Sequence, residues 1–497
     1  MNPITIRLNR AYRTPSRERG AFALMVPAVL MVILGFCALA LDLGQAYNRK
    51  TELQGIAQAV ALAAARELNG TAAGVTASLL KAGETASRLK VRYGQRFAWD
   101  DAAIRFSNTP ASGAEWVDGA TARGAPADRY YVKVDTRALG QDLGLVETLF
   151  IQVLPQAQAS ASMAERAIAG RSTIQVLPLA ICAMSGDRAA ARTNPGPPQT
   201  VELVEYGFRR GVGYDLMQLN PGAASPISFV IDPLAPPGGL GSASNTGASA
   251  VAPFICSGNL WTARVTGGMI RVGSPFPIGA LYRELNARFD QYAGSRCKPN
   301  GAPPDFNVRA YTDGAAGAAT WMNPRATVPS ATPAGSAGRL QTIADLPAPP
   351  AGTAAGAYGP LWSYARAARF SSYMPGQAEP RNGYATFSPS DWPSLYPALP
   401  TSGASGYPGG SQPYQASTGG YYAAPSAPNT PISVIGRRVL HVPLLQCPVA
   451  AGANVGASAL GVGKFFMTVP ATPTSLHAEF AGIIPEDQLT GQVILYP

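Results

Sequence analysis

From Ala21 to Leu43 the chain is apolar without a break, 23 residues that carry a single acid, Asp42, at the far end. At about 1.5 Å rise per residue, a helix of that length crosses a hydrocarbon core of roughly 30 Å. The pattern then changes without stopping. Leu53, Ile56, Ala57, Val60, Ala64 and Leu68 recur at the i, i+3, i+4 spacing of one buried stripe, and Asn69-Gly70 reads as a C-cap. One long helix is predicted, apolar all round in its first half and on one face in its second. A cleaved signal peptide would have an apolar run of only about 7–15 residues followed by a small-residue cleavage site. The helical continuation through Gln45 to Lys50 favours a retained anchor.

Beyond this helix the periodicity predicts a second one over 76–96, with Leu79, Leu80, Ala86, Leu89 and Tyr93 on one side. Alternation predicts strands at Ala103–Ser107, Tyr130–Thr136 and Ala157–Ala169, the last small enough in its side chains to lie under the long helix. From about residue 172 the signals are those of a β-rich region. Short apolar runs at 173–183, 227–231, 261–265, 269–272, 434–443, 464–469 and 492–496 are bounded by glycine and proline clusters. A helix over Ile278–Tyr292, with Leu281, Leu285, Phe289 and Tyr292 on a stripe, interrupts them. Residues 347–431 hold fifteen of the 45 prolines, five charged side chains and thirteen of the 42 aromatics. Disordered segments are poor in aromatics, so this stretch reads as ordered irregular loops, most mobile over Tyr407–Pro428.

Charge orients the anchor. Five arginines and one glutamate before Gly20 give the flank a net +4, which keeps it cytoplasmic and sends the rest of the chain outward. The overall charge of +10 does not point to nucleic acid: only six of 39 basic residues are lysine, and most arginines are scattered, not lined along a groove. Cys37 lies in the apolar run and reads as a packing residue; Cys182, Cys256, Cys297 and Cys447 all lie beyond it. Four cysteines in an oxidising compartment predict two disulfides, with three possible connectivities. Leu177–Cys182 and Val442–Cys447 both read as strands ending in a cysteine, which favours pairing Cys182 with Cys447 and Cys256 with Cys297. No C-x-x-C pair occurs, so a metal centre is not assigned.

Catalytic chemistry is hard to assemble. The two histidines, His441 and His477, sit in strand-like apolar segments and read as structural. The chain has no G-x-S-x-G, Walker or H-E-x-x-H motif. Asp100-Asp101 would point to opposite faces of a strand, and the glycine-rich 236–241 stretch precedes no helix that could cradle phosphate. No catalytic, cofactor-binding or metal-ligating residue is assigned.

Arg19-Gly20-Ala21-Phe22-Ala23, Gly35, Leu39-Ala40-Leu41-Asp42-Leu43-Gly44, Thr51-Glu52-Leu53-Gln54 and Ala61 through Gly70 resemble the N-terminal signature of TadG-like proteins of the bacterial Tad (tight adherence, Flp-type) pilus-assembly systems. Looser matches run through Ala287–Tyr292, Pro303–Val308, Arg437–Cys447, Lys464–Met467 and Ala478–Phe480. Two departures stand out. Prepilin-peptidase substrates have a glutamate as fifth mature residue, whereas a cut after Gly20 would place Met25 there. The Asp-x-Ser-x-Ser loop of a von Willebrand A-type metal site does not occur.

The resemblance implies an α+β protein organised as a basic flank (1–20), a transmembrane helix (21–43), a pilin-like α+β domain (44–171) and a β-rich domain (172–497). It implies a non-enzymatic component of a Tad/Flp pilus machine, anchored in the inner membrane with the bulk of the chain periplasmic. The partners are then other Tad assembly proteins or pilins, with no nucleic acid. Gly20, Pro27, Asp42, Gly44, Glu52 and Leu53 are the residues expected to matter in the anchor, Asp42 because an acid at membrane level is a functional candidate by default. The alternative is a membrane-anchored glycan-binding protein or hydrolase that uses the aromatic loops.

Overall fold

The structure, a computed structural model, describes residues 19–496 apart from 69–71, 93, 112, 127–128, 149–159, 195–196, 220–226, 236, 312–331, 334–339, 342–361, 397–406, 408–411 and 490. The fold is α+β. It begins with one continuous 49-residue helix, α1 (Arg19–Glu67), so the apolar run and the striped segment are a single element. The Asn69-Gly70 cap lies outside the described residues.

The outer half of α1 covers a four-stranded antiparallel sheet. Its stripe of Leu53, Ile56, Ala57, Val60, Ala61, Ala64, Ala65 and Leu68 is buried, each residue at most 4% exposed. Alanine at these positions lets the helix backbone come close to the sheet, while Leu53 and Ile56 fill the wider space at the lower end. Helix α2 (Ala72–Arg88) packs beside α1 through Val75, Leu79, Ala82 and Ala86. It ends eight residues before the predicted boundary, where a tight turn joins Val91 to Gln95, and Leu80 faces solvent at 71% exposure. The sheet is built from β1 (Ile104–Ser107), β2 (Tyr131–Asp135), β5 (Arg166–Arg171) and β18 (Val493–Tyr496), in the order β1-β2-β5-β18. Helices α3 (Gly119–Gly124) and α4 (Gln141–Gly144) and a hairpin of β3 (Leu145–Glu147) with β4 (Ser160–Ser162) complete this part. The predicted strand over 157–169 is therefore two strands in different sheets; 157–159 lie outside the described residues.

Between β5 and β18 the chain builds the larger β-rich region. Its central sheet has the order β10-β17-β16-β12-β11-β6-β15, from β6 (Leu179–Cys182), β10 (Gly213–Asp215), β11 (Phe229–Ile231), β12 (Met269–Gly273), β15 (Val439–Leu445), β16 (Val455–Met467) and β17 (His477–Ile484). Because β15 also pairs with β16, the five strands β16, β12, β11, β6 and β15 close on themselves. Thirteen residues long, β16 pairs with β12 through Val455–Ser458 and with β17 through Val462–Met467. Inside the ring lie Ala180, Cys182, Phe229, Ile231, Val272, Leu445 and Val462. A closed ring leaves no exposed edge among its members.

A three-stranded sheet of β7 (Ala190–Asn194), β8 (Thr200–Glu205) and β9 (Phe208–Arg209) and helices α5 (Ala248–Ser257), α6 (Ile278–Asn286) and α7 (Trp392–Leu395) surround it; β13 (Thr332–Pro333) pairs with β14 (Leu340–Gln341). The predicted helix over 278–292 stops at Asn286 and tightens into one 3-10 turn, Ala287–Phe289. The predicted strand over 261–265 is instead a turn. There Glu486 accepts from the backbone N–H groups of Val265 and Thr266, taking donors a neighbouring strand would need.

Cys182 is disulfide-bonded to Cys447, and Cys256 to Cys297. The first bond joins the ends of β6 and β15, which run parallel with Leu445 opposite Cys182; the second ties the last turn of α5 to the segment after α6. In the proline-rich loops several of the described aromatic side chains are buried: Trp362, Phe387, Trp392 and Tyr396 are at most 1% exposed and Tyr407 and Tyr414 at most 7%.

Candidate functional site

Helix α1 is the candidate site, and its geometry changes at Asp42. From Met25 to Leu43 the large apolar side chains are exposed, Leu41 at 54% and Leu43 at 65%. Asp42 between them is 3% exposed. Asp42 precedes Leu53 by eleven residues, three turns at 3.6 residues per turn, so it stands on the same face as the buried stripe. The protein thus wraps the helix on one side down to Asp42 and leaves its other faces open.

The remaining predicted residues distribute along this axis. Gly20 is in the first turn and Pro27 inside the helix, where its ring removes one backbone donor. Gly44 lies on an open face, with no atom within 4 Å of where a Cβ would stand, and the same holds for Gly35 and Gly55. Leu53 is fully buried against the sheet. Glu52 accepts from Arg49 Nη1 at 2.6 Å, and Lys50 reaches Glu165 at 3.6 Å, fastening the helix to the end of β4 and the turn before β5. Among the described residues, no group of three or more His, Cys, Asp or Glu side chains is arranged to hold a metal ion.

The looser family-like segments converge elsewhere, at a buried polar joint that the sequence did not single out residue by residue. The Arg438 guanidinium donates to the carbonyls of Asn307, Arg309, Met467 and Thr468 at 2.6–3.1 Å and lies 4.3 Å over the Phe289 ring and 4.4 Å over Phe466. Asp305 accepts from the Arg438 N–H at 2.9 Å and from the Tyr414 hydroxyl. Burial pushes the Asp305 carboxyl up, against the opposing pull of Arg438. Glu479, on β17 and fully buried, accepts from the Ser363 N–H and hydroxyl and from the Tyr364 and Ala365 N–H groups at 2.7–3.0 Å. These side chains hold loops against the barrel, each serving backbone groups. His441 is on β15 with Nδ1 2.8 Å from the Gln175 carbonyl, and burial lowers its pKa; His477 begins β17. Asp100 caps a 3-10 turn by accepting from Ala102 N–H, and Asp101 accepts from the Trp99 indole.

Residues 20–67 match the family model described as Tad, putative Flp pilus-assembly TadE/G-like. No curated protein and no solved structure matches the chain. The matched span covers α1 from its first turn to its last residue, Glu67, and so takes in both the exposed apolar half and most of the buried stripe. Helix α1 is thus similar along its length to the Tad, TadE/G-like domain of Flp pilus assembly.

Proposed function

We propose that this protein is a non-enzymatic structural component of a Tad/Flp-type pilus assembly machine, anchored in the inner membrane by α1 with the β-rich region in the periplasm. The observation that carries this reading is the match of residues 20–67 on a helix apolar and exposed from Met25 to Leu43, long enough to cross a membrane. The arginine-rich flank supports a cytoplasmic N-terminus. The open faces of α1 are then available to other assembly proteins or pilins within the bilayer, and the buried stripe fixes the folded part close to the membrane. The glycan-binding alternative draws no support from the aromatic loops, whose largest rings are buried.

Surface-pilus counts by electron microscopy test the proposal. A strain lacking the chain should lose its pili and recover them with the full-length protein. Asp42→Ala, expressed at the same level, should restore fewer. Normal piliation without the chain would defeat the proposal.

A further inference from the structure

A cleft of about 880 Å3 opens between α1, just past its apolar run, and the α4–β3 segment. Its volume is within the roughly 300–1,000 Å3 of small-molecule sites. Gln45 and Glu52, at its two ends along α1, stand about 3 and about 14 Å beyond Leu43 at helical rise. The polar layer of a bilayer adds roughly 5–8 Å to each side of the hydrocarbon core, so the near end of the cleft lies at headgroup depth.

The charges lining it are mixed. Arg49 gives its Nη1 to Glu52, while its buried Nε has no partner. Arg92, whose backbone turns through a positive φ of 45°, donates Nη2 to the carbonyls of Asp142 and Leu145 at 2.7 and 2.8 Å and so holds the far wall. The carboxylates of Asp142 and Glu147 also line the cleft, and no described cation pairs with either. A purely anionic headgroup would meet three carboxylates; a purely cationic ligand would meet two guanidinium groups. A zwitterion with both charges on a short linker answers both walls.

We propose that this cleft binds the phosphoethanolamine headgroup of a membrane phosphatidylethanolamine, its phosphate toward Arg49 and its ammonium toward Asp142 and Glu147. The inference rests on α1 being a membrane anchor.

Native mass spectrometry of the full-length protein in mild detergent tests it, with phosphatidylethanolamine, phosphatidylglycerol or free phosphoethanolamine added and membrane fractionation run in parallel. Phosphatidylethanolamine should be retained in preference to phosphatidylglycerol. Asp142→Asn with Glu147→Gln, which removes both carboxylates facing the ammonium, should lower that retention at least about tenfold without changing the unfolding temperature. Retention that mirrors the added mixture, or a double variant that binds like the parent, would overturn the proposal. Free phosphoethanolamine binding as well as the lipid would overturn the lipid source. A chain absent from the membrane fraction would defeat the anchor reading itself, a separate result.

Discussion

Arg210 shows how single residues secure the loops of this protein. Its side chain, 6% exposed for the whole residue, gives Nε to Glu205 at 2.6 Å and Nη1 to Glu379 at 2.7 Å, and lies beneath Gly482. A Cβ at Gly482, whose φ is +101°, would collide with the guanidinium. Burial pushes the Glu379 carboxyl up, but the hydrogen bond and charge of Arg210, helped by Lys464, outweigh it and hold the group below its ordinary range. An acid with a lowered folded pKa stabilises the fold above its unfolded value, near 4.5, and loses that contribution as pH falls through the folded value. Hydrogen exchange over residues 373–384 should therefore speed up below about pH 4.5, and Glu379→Gln should remove that acid dependence while raising exchange at neutral pH. None of this was legible in the sequence. Glu379, Glu479 and Arg438 are ordinary charged residues in proline-rich or strand-like contexts, and their role depends on partners up to 169 residues away.

At the level of elements, legibility followed the length of the pattern. The 49 residues of α1 show two hydrophobic regimes that periodicity separates without help. Strands of two to six residues such as β7, β8, β9 and β10 are too short to show a period, and α5 is hidden because its ten residues, ASAVAPFICS, are apolar or small almost throughout. The stripe of α1 also has a mechanical meaning. Ala61, fully buried, sets the distance between helix and sheet, so Ala61→Leu should destabilise by about 1–3 kcal/mol through overpacking. Gly55, two residues past Leu53 on an open face, is the contrasting case: Gly55→Ala should stabilise by about 0.5–1 kcal/mol, because a helical glycine gives up more backbone freedom on folding. Thermal unfolding of both variants separates packing from propensity.

At the scale of the whole molecule, β18 returns to the first sheet on the edge away from β1. β18 pairs with β5 from Val493 opposite Arg171 to Tyr496 opposite Ile168, and it contributes Val493 and Leu495 to the core beneath α1. The two strands passing between the sheet and the barrel are joined by Ser172 N–H to the Gln492 carbonyl and by Gln492 N–H to the Thr173 hydroxyl. Arg171 spans the same joint, donating to the carbonyls of Leu68 and Leu489. Gly491 belongs in this neck because any side chain there would strike the Thr173 carbonyl. Truncation after Leu489 should thus loosen the α1 sheet, although its other strands all lie before residue 172. Faster hydrogen exchange in β2 and β5, with the barrel unchanged, is the expected result.

This pairing gives the protein a timetable. Synthesis proceeds from the N-terminus at about 5–20 residues per second, and Val493 follows Arg171 by 322 positions (493 minus 171). β5 therefore waits about 20–60 s for its last neighbour, long after α1 has left the ribosome. During that interval β5 is an edge strand of the sheet under α1, and β18, which follows all the barrel strands in the chain, is what covers it. The four-stranded sheet is thereby completed only after every barrel strand has been made.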